Sequence, residues 1–157
     1  MLGGDYPQLL ARLIARTEWT IQLPEHQVRF FEESGPAPAL AADDRRGGRI
    51  RVRTRALAIL EQTLPAIPRA VEAIGIYTSD FSRTGFGFVT DRQFFPEESV
   101  RILLPSFWMR VRVVRSRRLG PGCFENGTLL CERIDPSVEA FAGLLPMLRT
   151  PRTAAAQ

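Results

Sequence analysis

Apolar side chains follow two rhythms along this chain. Near the start, Leu9, Leu10, Leu13 and Ile14 recur at helical spacing, with Gln8, Arg12 and Arg16 on the remaining arc, which predicts a helix over residues 5–17. A second helix is expected after Leu23, with Pro24 in its first turn and Val28, Phe30 and Phe31 supplying apolar surface. Gly35, Pro36 and Pro38 punctuate an alanine-rich stretch, 35–42, that reads as a linker. From Ile50 the period becomes two. Ile50, Val52, Thr54, Ala56 and Ala58 alternate with Arg51, Arg53, Arg55, Leu57 and Ile59, as a half-buried strand should. Residues 61–69, with Pro65 and Pro68, form a connection. Further strands are expected over 70–78, 85–90 and 99–104, around Met109, Val111 and Val113, and over 123–132 with a bend at Asn126-Gly127. Short strands at near-regular spacing, separated by Gly and Pro turns, predict a mainly β chain, a small antiparallel barrel or sandwich. A closing helix is expected with Asp135 as N-cap, Pro136 at its first position, and Val138, Phe141, Leu144 and Leu145 as its apolar face. Residues 150–157 read as a frayed tail.

Composition narrows the classes. A chain of 157 residues with 45% apolar content is long enough for one domain with modest extensions. Cys123 and Cys131 have no CxxC or His-rich company, so neither a disulfide framework nor a structural zinc is expected; both thiols are expected to be buried as small hydrophobes. The first residues lack a basic region followed by a long apolar run, and no apolar stretch reaches the roughly 18–20 residues that span a bilayer. A cytoplasmic, reduced protein without a membrane span is expected. His26 is the sole histidine and has no nearby nucleophile. GxSxG, Walker A, HExxH and Rossmann fingerprints are all missing, so no enzyme activity, catalytic residue, metal or cofactor is expected.

The net charge is +4, and all 21 basic side chains are arginine. Their positions matter more than their number. Arg45-Arg46-Gly47-Gly48-Arg49 offers guanidinium groups around two glycines that disfavour a helix. In a loop that folds round a ligand, Arg45 and Arg49 can bring both forks to one anion, or reach the O6 and N7 acceptors of guanine. Asp80-Phe81-Ser82-Arg83-Thr84-Gly85 stands between two β-like runs. The Asp80 carboxylate can accept from guanine N1–H and the N2 amine together. Ser82 can hold the turn or meet a ligand, and Gly85 permits positive φ or close approach. Taken singly, each stretch also reads plainly, as a solvated basic loop and as an Asx-type turn.

Together, RxxxR followed by DxSxxG in a strand context resembles the PilZ family, bacterial receptors for cyclic dimeric GMP. The similarity covers about residues 43–134. It implies a six-stranded antiparallel β-barrel with a flanking helix, and cyclic-di-GMP bound by Arg45, Arg46, Arg49, Asp80, Ser82 and Gly85. It implies a non-enzymatic relay in second-messenger signalling, coupling the nucleotide to a protein partner that the sequence does not identify. The expected organisation is an N-terminal helical extension (1–34), the linker (35–42), the barrel with its C-terminal helix (43–149) and the tail. Two features depart from the family pattern. The spacing from Arg49 to Asp80 is long, which predicts an extended first hairpin, and Asp43 and Asp44 precede Arg45, where acids oppose a dianionic ligand. Two other readings remain: a PilZ-like interaction module that binds no nucleotide, and a basic barrel for single-stranded nucleic acid. The second basic run, 110–118, bears on the last. Arg110 and Arg112 share a strand face, expected to be solvated, and Phe107 and Trp108 do not make a stacking platform, so nucleic acid is not the expected partner.

Overall fold

The computed structural model describes residues 6–25, 30–32, 35–36, 50–62 and 72–144. They form helix α1 (Tyr6–Arg16) and strands β1 (Gly35–Pro36), β2 (Ile50–Arg51), β3 (Arg55–Gln62), β4 (Ala73–Phe81), β5 (Gly85–Thr90), β6 (Ser99–Leu103), β7 (Trp108–Gly120) and β8 (Cys123–Ile134). Strands β3, β6, β7, β8, β5 and β4 pair in that order, and β4–β5 pairing closes the ring into a six-stranded antiparallel barrel. Alternation fills it: Ala56, Ala58, Ile74, Ile76, Phe86, Phe88, Val100, Ile102, Met109, Val111 and Val113 all point inward.

Strand β3 is apolar on both faces, because its outer residues Leu57 and Ile59 are covered. Helix α1 supplies the cover with Tyr6, Leu9, Leu10 and Leu13, joined by Trp108, Phe141 and Leu144. Burying each leucine contributes about 1.5–3 kcal/mol. The Tyr6 hydroxyl donates to the carbonyls of Leu104 (2.5 Å) and Phe107 (3.0 Å), which pins the helix to the β6–β7 turn. At the other end, Thr17 Oγ1 donates to the Leu13 carbonyl (2.7 Å) and stops the helix. The chain then runs without helix from Thr17 to Pro24 and packs Trp19, Ile21 and Leu23 near Tyr77, Val89 and Cys123. Of the second expected helix, only a short 3-10 turn, Phe30–Glu32, falls among the described residues beyond Glu25.

Three further expectations are corrected. The strand expected without interruption from Ile50 is two strands, because the Thr78 side chain enters the ladder at the gap. Its hydroxyl accepts from Thr54 N (2.9 Å) and donates to the Val52 carbonyl. The expected linker begins with two paired residues, Gly35 opposite Arg51 and Pro36 opposite Ile50, while 37–42 lie outside the described residues. The C-terminal helix starts later and tighter than Asp135 and Pro136 predict. Val138–Phe141 is a 3-10 turn with Ser137 at the cap position, and the Ser137 hydroxyl accepts from the Trp108 indole N–H (3.1 Å) instead of capping. Arg101, buried in β6, takes the carbonyls of Glu139 (3.3 Å), Ala140 (2.6 Å) and Ala142 (2.7 Å), and Gly143 turns left-handed at φ 86°. Carbonyls held by a guanidinium are not left to propagate an α-helix. Leu145 and the expected tail lie outside the described residues.

Candidate functional site

Asp80 sits near the end of β4, and a bulge decides where it points. Thr78 pairs with Phe88, but Asp80 pairs with Gly87, so Ser79 is the extra residue. A strict period of two would turn Asp80 inward and Phe81 outward; the bulge reverses both. Phe81 therefore packs on Phe86 (4.7 Å between ring centroids) and near Phe107 (6.3 Å), closing that end of the barrel. The Asp80 carboxylate lies on the outer surface over Gly87. Its Oδ1 is 2.2 Å from where a Gly87 Cβ would stand, so only glycine at 87 lets the carboxylate lie there.

Ser82, Arg83 and Thr84 make the turn. Ser82 Oγ accepts from Gly85 N (3.0 Å), Ser82 N donates to the Gly85 carbonyl (3.0 Å), and the Thr84 carbonyl accepts from Leu130 N (2.8 Å). Of the two roles open to Ser82, holding the turn is the one seen. Gly85 is not among the described residues with positive φ; its need is close approach, since a Cβ there would stand 2.9 Å from the Thr128 carbonyl.

Arg45, Arg46 and Arg49, with Asp43 and Asp44, lie outside the described residues. The chain that follows them is placed. Strand β2 runs antiparallel to the end of β4, with Ile50 opposite Phe81 and Arg51 opposite Asp80.

Three residues of this surface escaped the sequence reading. Gly87 pairs with Gly127 across β5–β8, and Gly127 pairs with Arg115 across β8–β7. One row therefore crosses five strands: Arg51, Asp80, Gly87, Gly127, Arg115. Neighbours of both glycines (Phe86, Phe88, Asn126, Thr128) are buried, so the glycines face outward. The result is a floor without side chains, with a carboxylate over one half and a guanidinium over the other. Gly85 and Gly87, two apart on one strand face, were the available signal.

The outer face of β7 carries the second basic run. Arg110 meets Glu61 (3.2 Å) and Glu132 (3.0 Å), Arg117 meets Glu125 (3.1 Å), and Arg112 stands 3.8 Å from Glu97. This face is solvated, as expected. Asn126-Gly127, where a bend is expected, lies within the continuous strand β8, and the extra residue at this point stands opposite, at Val114 of β7. Cys123 is buried, but Cys131 is exposed, against expectation. Both thiols stand on the outward-facing positions of β8 with Gly127 and Leu129; Cys123 is buried because it packs with Ile21, Phe30, Tyr77 and Val89 outside the barrel, a cluster to which Cys131 does not belong.

Among the described residues, no three His, Cys, Asp or Glu side chains are grouped to hold a metal ion, and no helix is long and apolar enough to cross a membrane. No protein-family model matches the chain, and no curated protein is significantly similar to it.

Proposed function

We propose that this protein is a receptor for cyclic-di-GMP, a PilZ-like relay that converts nucleotide binding into a change of surface presented to a protein partner. The observation that carries the reading is the Asp80 carboxylate laid over Gly87 on the barrel's outer face, with β2 alongside it. In this reading Asp80 accepts the N1–H and N2 edge of one guanine. Arg45, Arg46 and Arg49, in the chain leading into β2, are the proposed partners of phosphate and of a purine face. Gly85 and Ser82 shape the turn beneath.

The proposed output runs through β2. Past Arg51 the chain carries Arg53, whose guanidinium lies 4.2 Å from the Phe30 ring centroid and donates to the Phe30 carbonyl (3.3 Å). Arg55 then lies 4.9 Å from the Trp19 ring centroid. A ligand that draws the residues before β2 towards Asp80 pulls on both contacts, and so on the segment that joins α1 to the barrel.

Calorimetry with cyclic-di-GMP at micromolar concentration and low salt tests this. Binding that disappears in Arg49→Ala and Asp80→Ala, with the melting temperature of the free protein nearly unchanged, is expected. No heat from the unmodified protein refutes the receptor reading. A second reading, an interaction module that binds no nucleotide, draws support from Ser82, whose oxygen is already engaged by Gly85 N.

A further inference from the structure

The arginines of β7 are not alike. Arg110, Arg112 and Arg117 each face an acidic side chain, and Arg118 donates to the Gly120 carbonyl (3.4 Å). Arg115 is exposed and makes no ion pair or hydrogen bond among the described residues. Its cross-strand neighbour is Gly127, and its side chain lies flat on that glycine: Nε is 2.9 Å, and Cγ 3.2 Å, from where a Cβ would stand. The bulge at Val114 puts it there. Val113 pairs with Thr128 and Arg115 with Gly127, so without the extra residue Val114 would face Gly127 and Arg115 would turn inward with Asn126. The fold leaves Val114 48% exposed in the arrangement that keeps Arg115 outward. At the other end of the same row, the bulge at Ser79 does the same for Asp80. Two irregularities, on different strands, bring opposite charges to the two halves of one glycine floor.

We propose, resting on the reading of Asp80 as the acceptor of a guanine edge, that Arg115 reads the opposite edge of that same base. Guanine carries donors at N1 and N2 on one side and the acceptors O6 and N7 on the other; a carboxylate suits the first and a forked guanidinium the second. The backbones of β4 and β7 stand three strand spacings apart along this row, about 14 Å, so a purine fits once Arg115 draws back from Gly127 to meet its far edge. The peptide planes of Gly87 and Gly127 offer the flat surface on which the ring lies. Arg115 has only to lift from Gly127, with no ion pair among the described residues to break. Adenine presents an amine where guanine has O6, so Arg115 is a specificity-determining residue as well as a binding one.

The test is a titration of the full chain, of Arg115→Ala and of Arg118→Ala with cyclic-di-GMP and cyclic-di-AMP, with melting temperatures alongside. Arg115→Ala is expected to weaken cyclic-di-GMP by about tenfold to a hundredfold and to narrow the gap between the two nucleotides, while Arg118→Ala and the melting temperatures stay near the unmodified protein. If the unmodified protein binds cyclic-di-GMP and Arg115→Ala binds it equally well, the role of Arg115 is overturned and the receptor reading stands. If Arg115→Ala weakens both nucleotides by the same factor, Arg115 supplies only charge, and base reading is overturned. If the unmodified protein binds neither nucleotide, both readings fall together.

Discussion

Replacing Gly87 with alanine separates the stability of this surface from its use. The added methyl would stand 2.2 Å from Asp80 Oδ1 and 3.3 Å from its Cγ. Ordinary contact between heavy atoms begins at about 3.5 Å, so the carboxylate must retreat by more than an ångström. The obstacle is the end of a short side chain, not backbone. Turning it aside costs about 0.5–1.5 kcal/mol if it leaves its rotamer well. Alanine recovers about 0.5–1 kcal/mol in a strand, because glycine loses more freedom on folding. The two terms nearly cancel, so a loss beyond about 1 kcal/mol in urea unfolding would measure the interaction that Asp80 already makes within the protein. Binding has no such compensation. Two hydrogen bonds to a charged acceptor are worth about 1.5–3 kcal/mol each, and a carboxylate displaced by more than an ångström loses both, a drop of a hundredfold or more. Calorimetry and urea unfolding on the same Gly87→Ala preparation decide it. Unaltered cyclic-di-GMP affinity would refute the placement of ligand against Asp80; a large loss of stability would show that Asp80 is held by structure rather than kept for a ligand.

Other predictions follow from the packing. Arg101→Ala removes the fork that holds the carbonyls of Glu139, Ala140 and Ala142 and the Nε that stands 3.0 Å from Glu61; urea unfolding should show a loss of about 3–5 kcal/mol, and less than 1 kcal/mol would mean the carbonyls rehydrate freely. Burial alone would raise the Asp91 carboxyl, but hydrogen bonds from Arg92 and Thr20 and the Arg92 charge bring it below the usual carboxylate value. Its contribution to stability is therefore full above the ordinary aspartate range near pH 4 and lost as pH falls through the lower folded value, and Asp91→Asn should flatten that part of an acid unfolding profile. Cys131 is exposed while Cys123 is buried, with its thiol pushed up by desolvation and by the charge of Glu125. A thiol reagent at neutral pH should modify one cysteine in the native protein, identified as Cys131 by peptide mapping, and the second only on unfolding.

Much of the barrel was legible because strands announce themselves locally. The run at 85–90 matches β5 (Gly85–Thr90), and Leu9, Leu10 and Leu13 mark the buried stripe of α1. What escaped depends on pairing between distant segments. Nothing near Ile50 signals that Thr78 will enter the ladder and split the strand. Nothing near Asp135 signals that Arg101 will take the carbonyls of the closing turn. Bulges cause the rest. One extra residue reverses the facing of everything beyond it, so Ser79 and Val114 changed the outlook of Asp80 and Arg115 without leaving a local trace. The DxSxxG stretch was visible as a turn with chemistry. The glycine floor beside it needed register, since Gly87, Gly127 and Arg115 meet only once three strands are aligned.

Ring closure also bears on how the protein behaves when crowded with copies of itself. A sheet joined edge to edge offers few open rows of amides and carbonyls on which a foreign strand can template. Where the described sheet does end, at β1, the border is two residues long, and one of them is Pro36, which has no amide hydrogen to donate. Growth of stacked fibrils from that border of the described sheet is disfavoured.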